Sequence, residues 1–101
     1  SYGEVPISGV VGGPNNKRVI SGRVDRLLIE KNAVTIIDFK SNKPAPKTLN
    51  DVPISYLRQL SGYYAVLSQL YSSRKIICLL LWTNTLQVMK LPKSIITKHL
   101  P

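Results

Sequence analysis

Val19 to Lys40 reads VISGRVDRLLIEKNAVTIIDFK, two apolar-rich runs separated by the polar break Glu30-Lys31-Asn32. β-branched residues crowd both runs, which predicts two strands. In the second run Val34, Ile36, Asp38 and Lys40 share one face, and Ala33, Thr35, Ile37 and Phe39 share the other. In the first, Asp25 falls in line with Arg23, Leu27 and Ile29. A two-residue turn at Lys31-Asn32 folds the runs into a hairpin with Glu30 opposite Ala33. The same register sets Asp25 opposite Asp38 and Arg23 opposite Lys40. Two carboxylates so placed, with Cβ atoms roughly 5 Å apart, repel unless a cation or a shared proton compensates. Asp25, Asp38 and Lys40 together read as a divalent-metal site with an ammonium beside it, an arrangement suited to phosphodiester chemistry. The plainer reading is a solvated Asp–Lys pair at a strand end, worth little. One residue of slip in the turn would also send the acids to opposite faces.

Bulk properties narrow the class. A chain of 101 residues allows a single domain with one modest core. Fourteen Lys and Arg stand against five Asp and Glu, and the net charge of +9 fits a polyanionic partner such as nucleic acid. The other reading of that charge is a soluble basic protein, or one part of an assembly whose other part is acidic. One cysteine, Cys78, excludes an internal disulfide and a cysteine-ligated zinc or iron–sulfur site within this chain. It sits in an apolar run and reads as a buried small residue. His99, near the end, reads as a tail residue. No run approaches the ~18 apolar residues of a membrane span, so a soluble, cytoplasmic protein with no membrane partner is expected. The chain opens on Ser1 without an initiator Met, as expected of a piece of something longer.

In chain order, Glu4 to Val11 predicts a first strand, held to a sheet edge by Pro6. Glu4 reads as a solvated strand-end residue, with a third site acid as the alternative. Gly12 to Asn16 is a turn cluster leading through Lys17-Arg18 into the hairpin. After Lys40, the segment Ser41 to Asp51 carries Pro44, Pro46, Lys43 and Lys47, an extended basic loop leaving the sheet at the candidate site. Its lysines are placed to meet phosphates, or it is a polar connector. A helix is predicted from near Pro53 to Tyr71, with Asp51 favouring its positive end. Leu57, Leu60, Tyr64, Leu67 and Tyr71 form the stripe that docks on a sheet, with Tyr56, Gln59, Tyr63, Val66 and Leu70 beside it. Gln59 and Tyr63 are one helical turn apart, within reach of the hairpin's acids. Ile76 to Thr83 predicts a strand buried on both faces, Leu86 to Leu91 a short edge strand, and Lys93 to Leu100 a short basic helix.

These features in this order resemble the RecB-like branch of the PD-(D/E)XK nuclease superfamily. That branch is marked by G-x-x-D (Gly22 to Asp25), D-[FY]-K-[ST]-N (Asp38 to Asn42) and Q-x-x-x-Y (Gln59 to Tyr63). Tyr56-Leu57-Arg58-Gln59 and Leu80-Leu81-Trp82-Thr83 look especially like the C-terminal nuclease domain of AddA-type helicase–nucleases of bacterial double-strand-break repair. The resemblance covers Glu4 to Pro92. It implies a restriction-endonuclease-like α/β fold, a mixed sheet with a central catalytic hairpin and one main helix packed on it. It leaves a single domain with a core over about 4–92 and a basic tail over 93–101.

The resemblance also implies a mechanism. Asp25 and Asp38, with the Phe39 backbone carbonyl, hold Mg²⁺ or Mn²⁺; Lys40 orients the attacking water and stabilises charge on the phosphate. Gln59 and Tyr63 line the site, and Tyr56, Asn42, Lys43, Lys47 and Arg23 are candidate support or DNA contacts. The implied partners are DNA, single-stranded or unwound, and an AddB-like subunit of the parent complex, with ATP used only in the parent's helicase part. The family's helix before the first strand, often the source of a histidine ligand, is expected to be missing ahead of Ser1. An inactive fragment with the nuclease fold is therefore a second expectation. A non-catalytic basic module that binds DNA or docks on a protein is the rival, although such a binder has no use for facing acids.

Overall fold

A computed structural model describes residues 3–101. The first apolar run behaves as two strands rather than one. β1 (Val5–Val11) pairs antiparallel with β2 (Arg18–Val24), and the chain bends at Asp25 before β3 (Arg26–Ile29). β3 pairs antiparallel with β4 (Ala33–Lys40) in the register that the Lys31-Asn32 turn predicts, Ile29 opposite Val34 and Arg26 opposite Ile37. The bend divides the strands between a two-stranded sheet, β1–β2, and a mixed four-stranded sheet in the order β3-β4-β5-β6. Arg23 is therefore opposite Pro6 in the small sheet, not opposite Lys40. Strand propensity is high on both sides of Asp25 and so carries no sign of the bend. Pro6, with no N–H to donate, is tolerated because β1 has a partner on one side only.

α1 (Ile54–Leu70) crosses over and delivers β5 (Lys75–Trp82) parallel to β4, with Asp38 beside Leu80 and Lys40 beside Trp82. β6 (Gln87–Lys90) pairs antiparallel with β5, and Pro92 then turns the chain into α2 (Lys93–Lys98). The edge strand and last helix are thus shorter than predicted, the strand because Leu86 takes a positive φ of 56° in the preceding turn. Asp51 belongs to a separate turn of helix at Leu49–Asp51, where its carboxylate accepts a hydrogen bond from Thr48 Oγ1 (3.3 Å) instead of capping α1.

Val34, Ile36, Cys78, Leu80 and Trp82 bury one face of the large sheet in a core shared with Leu57, Leu60 and Leu67 of α1. On the opposite face Ile77, Leu79 and Leu81 stay half-buried, so β5 is not the doubly covered strand its continuous apolar run predicts. The buried face of α1 also exceeds a single stripe, taking in Ser61, Gly62, Tyr63 and Val66. The reason is that α1 packs on β5 and also under β1 and β2. Gly9 on β1 makes that second contact close, since a Cβ there would lie 3.0 Å from Val66 Cγ1. Among the described residues, no helix is long and apolar enough to cross a membrane.

Candidate active site

The bend at Asp25 has a local cause at the end of the β3–β4 ladder. Arg26 and Ile37 are the last pair, and beyond them the Phe39 N–H has no strand partner. The Asp25 carboxylate takes that place, its Oδ2 accepting the Phe39 N–H at 2.8 Å. Asp25 is thus not a ladder partner of Asp38, as the continuous hairpin predicts, but its side chain still reaches the Asp38-Phe39-Lys40 segment.

Asp38 projects from β4 onto the face that packs under α1 and is 7% exposed. Burial pushes its carboxyl pKa up, with the neighbouring Asp25 carboxyl acting in the same direction and Lys40 opposing it. A half-exposed carboxyl, Asp25, thus stands beside a buried one, Asp38, and a cation is the natural compensation. Lys40 supplies part of it: its Nζ lies 3.0 Å from Asp38 Oδ2.

Two groups on α1, Gln59 and the Tyr56 ring, hold that ammonium in place, and Tyr63 supports Gln59. Gln59 Oε1 accepts from Lys40 Nζ at 3.4 Å, and Gln59 Nε2 donates to the Tyr63 hydroxyl at 3.3 Å. The Lys40 Nζ also lies 4.2 Å from the centroid of the Tyr56 ring, a cation–π contact. Tyr56 in turn donates its hydroxyl to Asn42 Oδ1 at 3.0 Å and packs near Trp82, ring centroids 6.3 Å apart. Asp38, Lys40, Gln59 and Tyr63 therefore form one continuous polar row from sheet to helix. Gly22 closes it from the β2 side: a Cβ there would fall 2.0 Å from the Tyr63 hydroxyl oxygen. The glycine of G-x-x-D is thus required by the tyrosine of Q-x-x-x-Y.

Sequence reasoning missed the clamp on the far side of Lys40. The Thr83 N–H and hydroxyl both donate to the Lys40 carbonyl (2.8 and 3.2 Å), and Asn84 Nδ2 donates to the carbonyls of Ser41 and Asn42 (2.8 and 3.0 Å). Small polar residues at the end of a buried strand parallel to β4 were the available signal. Other candidates stand apart: Arg23 is exposed on the small sheet, and Lys43 and Lys47 are exposed along the loop. Cys78 is fully buried and its thiol pKa is pushed up to about 12 by burial, as suits a core residue. Among the described residues, no group of three or more His, Cys, Asp or Glu side chains gathers to hold a metal ion. Two carboxylates nevertheless suit a magnesium-type ion, which keeps several waters and is commonly bound by one or two carboxylates plus substrate phosphates.

Comparison with known proteins agrees with this architecture. The crystal structure of SSO0001 aligns over 96% of this chain at 20% identity with a TM-score of 0.50, a likeness of fold. This chain spans 46% of that protein's length. No curated protein matches the sequence. The sequence model of a superfamily whose nucleases generally use divalent metals matches residues 3–88, from the residue before Glu4 into the first half of β6. By that match over most of its length, the chain belongs to the PD-(D/E)XK nuclease superfamily.

Proposed function

We propose that this chain is a metal-dependent deoxyribonuclease domain, with Asp25, Asp38 and Lys40 as its catalytic set. One observation carries the reading: a buried carboxyl with a raised pKa sits between a second carboxyl and a restrained ammonium. A solvated ion pair has neither the burial nor the second acid.

Asp25 and Asp38 would hold one divalent ion, Mg²⁺ or Mn²⁺. The Phe39 carbonyl would be a third ligand, since the extended backbone of β4 points it to the same side as the Phe39 N–H that Asp25 accepts. The ion supplies Lewis acidity and a more acidic bound water when present. The chain's own residues do the remaining work. Lys40, positioned by Gln59 and the Tyr56 ring, orients the attacking water and offsets the charge growing on the phosphate oxygens. The water oxygen bonds to phosphorus as the bridging P–O bond breaks, and the leaving oxygen takes up a proton. Tyr63 fixes Gln59. Asn42, Lys43, Lys47 and Arg23 are assigned to contacts along the DNA backbone.

The motif details favour the RecB-like branch and an AddA-type helicase–nuclease as parent. In that setting the substrate is the single strand delivered by an ATP-driven motor, the mode is exonucleolytic, and an AddB-like subunit completes a cytoplasmic repair and recombination complex. The test is cleavage of end-labelled single-stranded DNA, with melting followed as Mg²⁺ or Mn²⁺ is added. Metal should raise the melting temperature and support cleavage. Asp25→Ala, Asp38→Ala and Lys40→Ala should each reduce cleavage by at least ~10²-fold, the scale of one lost electrostatic stabiliser, with circular dichroism unchanged. Metal-independent melting together with wild-type cleavage by Asp38→Ala would falsify the site.

A further inference from the structure

A second concave region lies at the opposite end of β5 from Asp38 and Lys40. Its volume is about 810 Å³, and it sits between the C-terminal half of α1, the start of β5 and the β6–α2 junction. Ile76, Leu91 and Ile96 give it an apolar floor. Arg74, Lys75, Lys90 and Lys93 stand around it, the three lysines exposed and Arg74 stacked 5.1 Å above the Tyr71 ring. None of the chain's five acidic residues lines it.

The cleft also contains an open strand edge. β6 pairs with β5 only from Leu79 to Trp82, and the last contact beyond that ladder is the Leu91 N–H to the Cys78 carbonyl at 3.0 Å. Pro92 follows with no N–H, so the ladder stops and the chain leaves in α2. Backbone polar groups alternate sides along a strand. The Lys75 N–H bonds toward β4, at Asn32 O (3.0 Å), so the Ile76 N–H and C=O face the other way, into the cleft.

We infer that this cleft is a docking site for an extended acidic peptide segment of a partner protein. The peptide would add a strand beside Lys75–Ile77, with acidic side chains reaching the four cations and apolar ones resting on Ile76, Leu91 and Ile96. An open edge supplies both an N–H and a C=O, which a peptide backbone matches and a phosphodiester does not. The apolar floor argues the same way. Ile76 is four residues from the Leu80 that pairs with Asp38, about 13 Å along a strand, so the two sites are separate.

The probe is a fluorescein-labelled Glu-Val-Glu-Val-Glu-Val-Glu peptide followed by anisotropy and by the amide resonance of Ile76. Saturable binding that shifts this resonance is expected, with the Lys-Val counterpart inert and a peptide N-methylated at alternate residues at least tenfold weaker. The exposed charge reversals Lys75→Glu and Lys93→Glu, combined, should weaken binding at least tenfold without changing DNA cleavage. No saturable binding up to millimolar peptide, or equal affinity for the double variant, overturns the inference. Displacement of the peptide by an oligothymidylate at equal concentration also overturns it, in favour of a nucleic-acid surface.

Discussion

Gly22→Ala tests the row from Gly22 to Lys40 without touching a charged group. The added Cβ would lie 2.0 Å from Tyr63 Oη, 2.9 Å from its Cζ and 3.1 Å from its Cε1. Gly22 is not among the residues with positive φ, so alanine brings no backbone strain and the effect is steric. Tyr63 is 3% exposed and its hydroxyl is held by Gln59, so it has little room to retreat. Overpacking of this kind costs about 1–3 kcal/mol. Tyr63→Phe alone removes the acceptor for Gln59 Nε2, a loss of roughly 0.5–1.5 kcal/mol. In the double variant the shortest contact no longer exists, and the two remaining ones need a ring shift of only a few tenths of an ångström. The pair should therefore be less destabilised than the sum of the singles by about 1 kcal/mol, or roughly 4–8 °C in melting temperature for a domain of this size. Urea denaturation of the four proteins gives the cycle. Additivity within ~0.5 kcal/mol, the behaviour of independent sites, would show that Gly22 is not there to admit the Tyr63 hydroxyl. Cleavage adds a second readout, because a displaced Tyr63 frees Gln59 and, through it, Lys40.

Asp25 has a structural and a proposed chemical role that two substitutions separate. Asp25→Asn keeps an oxygen acceptor for the Phe39 N–H and should melt within about 1 kcal/mol of wild type, while Asp25→Ala should lose a further ~1–2 kcal/mol; cleavage should collapse in both. Burial holds the folded Asp38 carboxyl above the ordinary carboxylate pKa, so its favourable contribution is complete below the unfolded pKa and is lost as pH rises through the folded one. Metal-free Asp38→Asn should accordingly melt higher than wild type at neutral pH and show no such gain near pH 3; a lower neutral melting temperature would refute the burial argument. Cys78, raised from 9.0 to about 12, makes the fold lose stability as pH climbs from 9 toward 12, by up to ~1.4 kcal/mol per pH unit. Against Cys78→Ala, which shares every tyrosine and lysine, the wild-type urea midpoint should fall more steeply between pH 9 and 10.5; parallel slopes would refute it.

Much of this architecture was legible because local rules agreed with the global fold. The Lys31-Asn32 turn fixed the β3–β4 register, and the apolar periodicity of Ile54–Leu70 placed the crossover helix. Proline at position 6 put the first strand at an edge. The errors share one physical source, tertiary context invisible to local pattern. The bend at Asp25 depends on a side chain replacing a strand in hydrogen-bonding the Phe39 N–H, and both flanks have the same strand propensity. A continuous apolar run in β5 reads as doubly buried, yet only the even-numbered face is covered by α1. Thr83 and Asn84 escaped notice because clamping Lys40, Ser41 and Asn42 requires parallel strands brought together across more than forty residues.

The bend at Asp25 bears directly on the chemistry proposed for the site. In a continuous hairpin, Asp25 and Asp38 would be ladder neighbours whose spacing the backbone dictates. With the chain bent, the separation of the two carboxyls depends instead on one hydrogen bond, from the Phe39 N–H to Asp25. The same strand that offers this N–H also carries Asp38 and Lys40 on either side of it, so the three proposed catalytic groups move as one unit with β4. Lys40 is then locked from above by Gln59 and Tyr56 and from behind by Thr83. Helix, parallel neighbour and bend thus each restrain a different atom of a five-residue stretch. That division explains why the motifs are scattered over Gly22–Asp25, Asp38–Asn42 and Gln59–Tyr63 while the atoms they position lie within a few ångströms of Lys40 Nζ and its backbone.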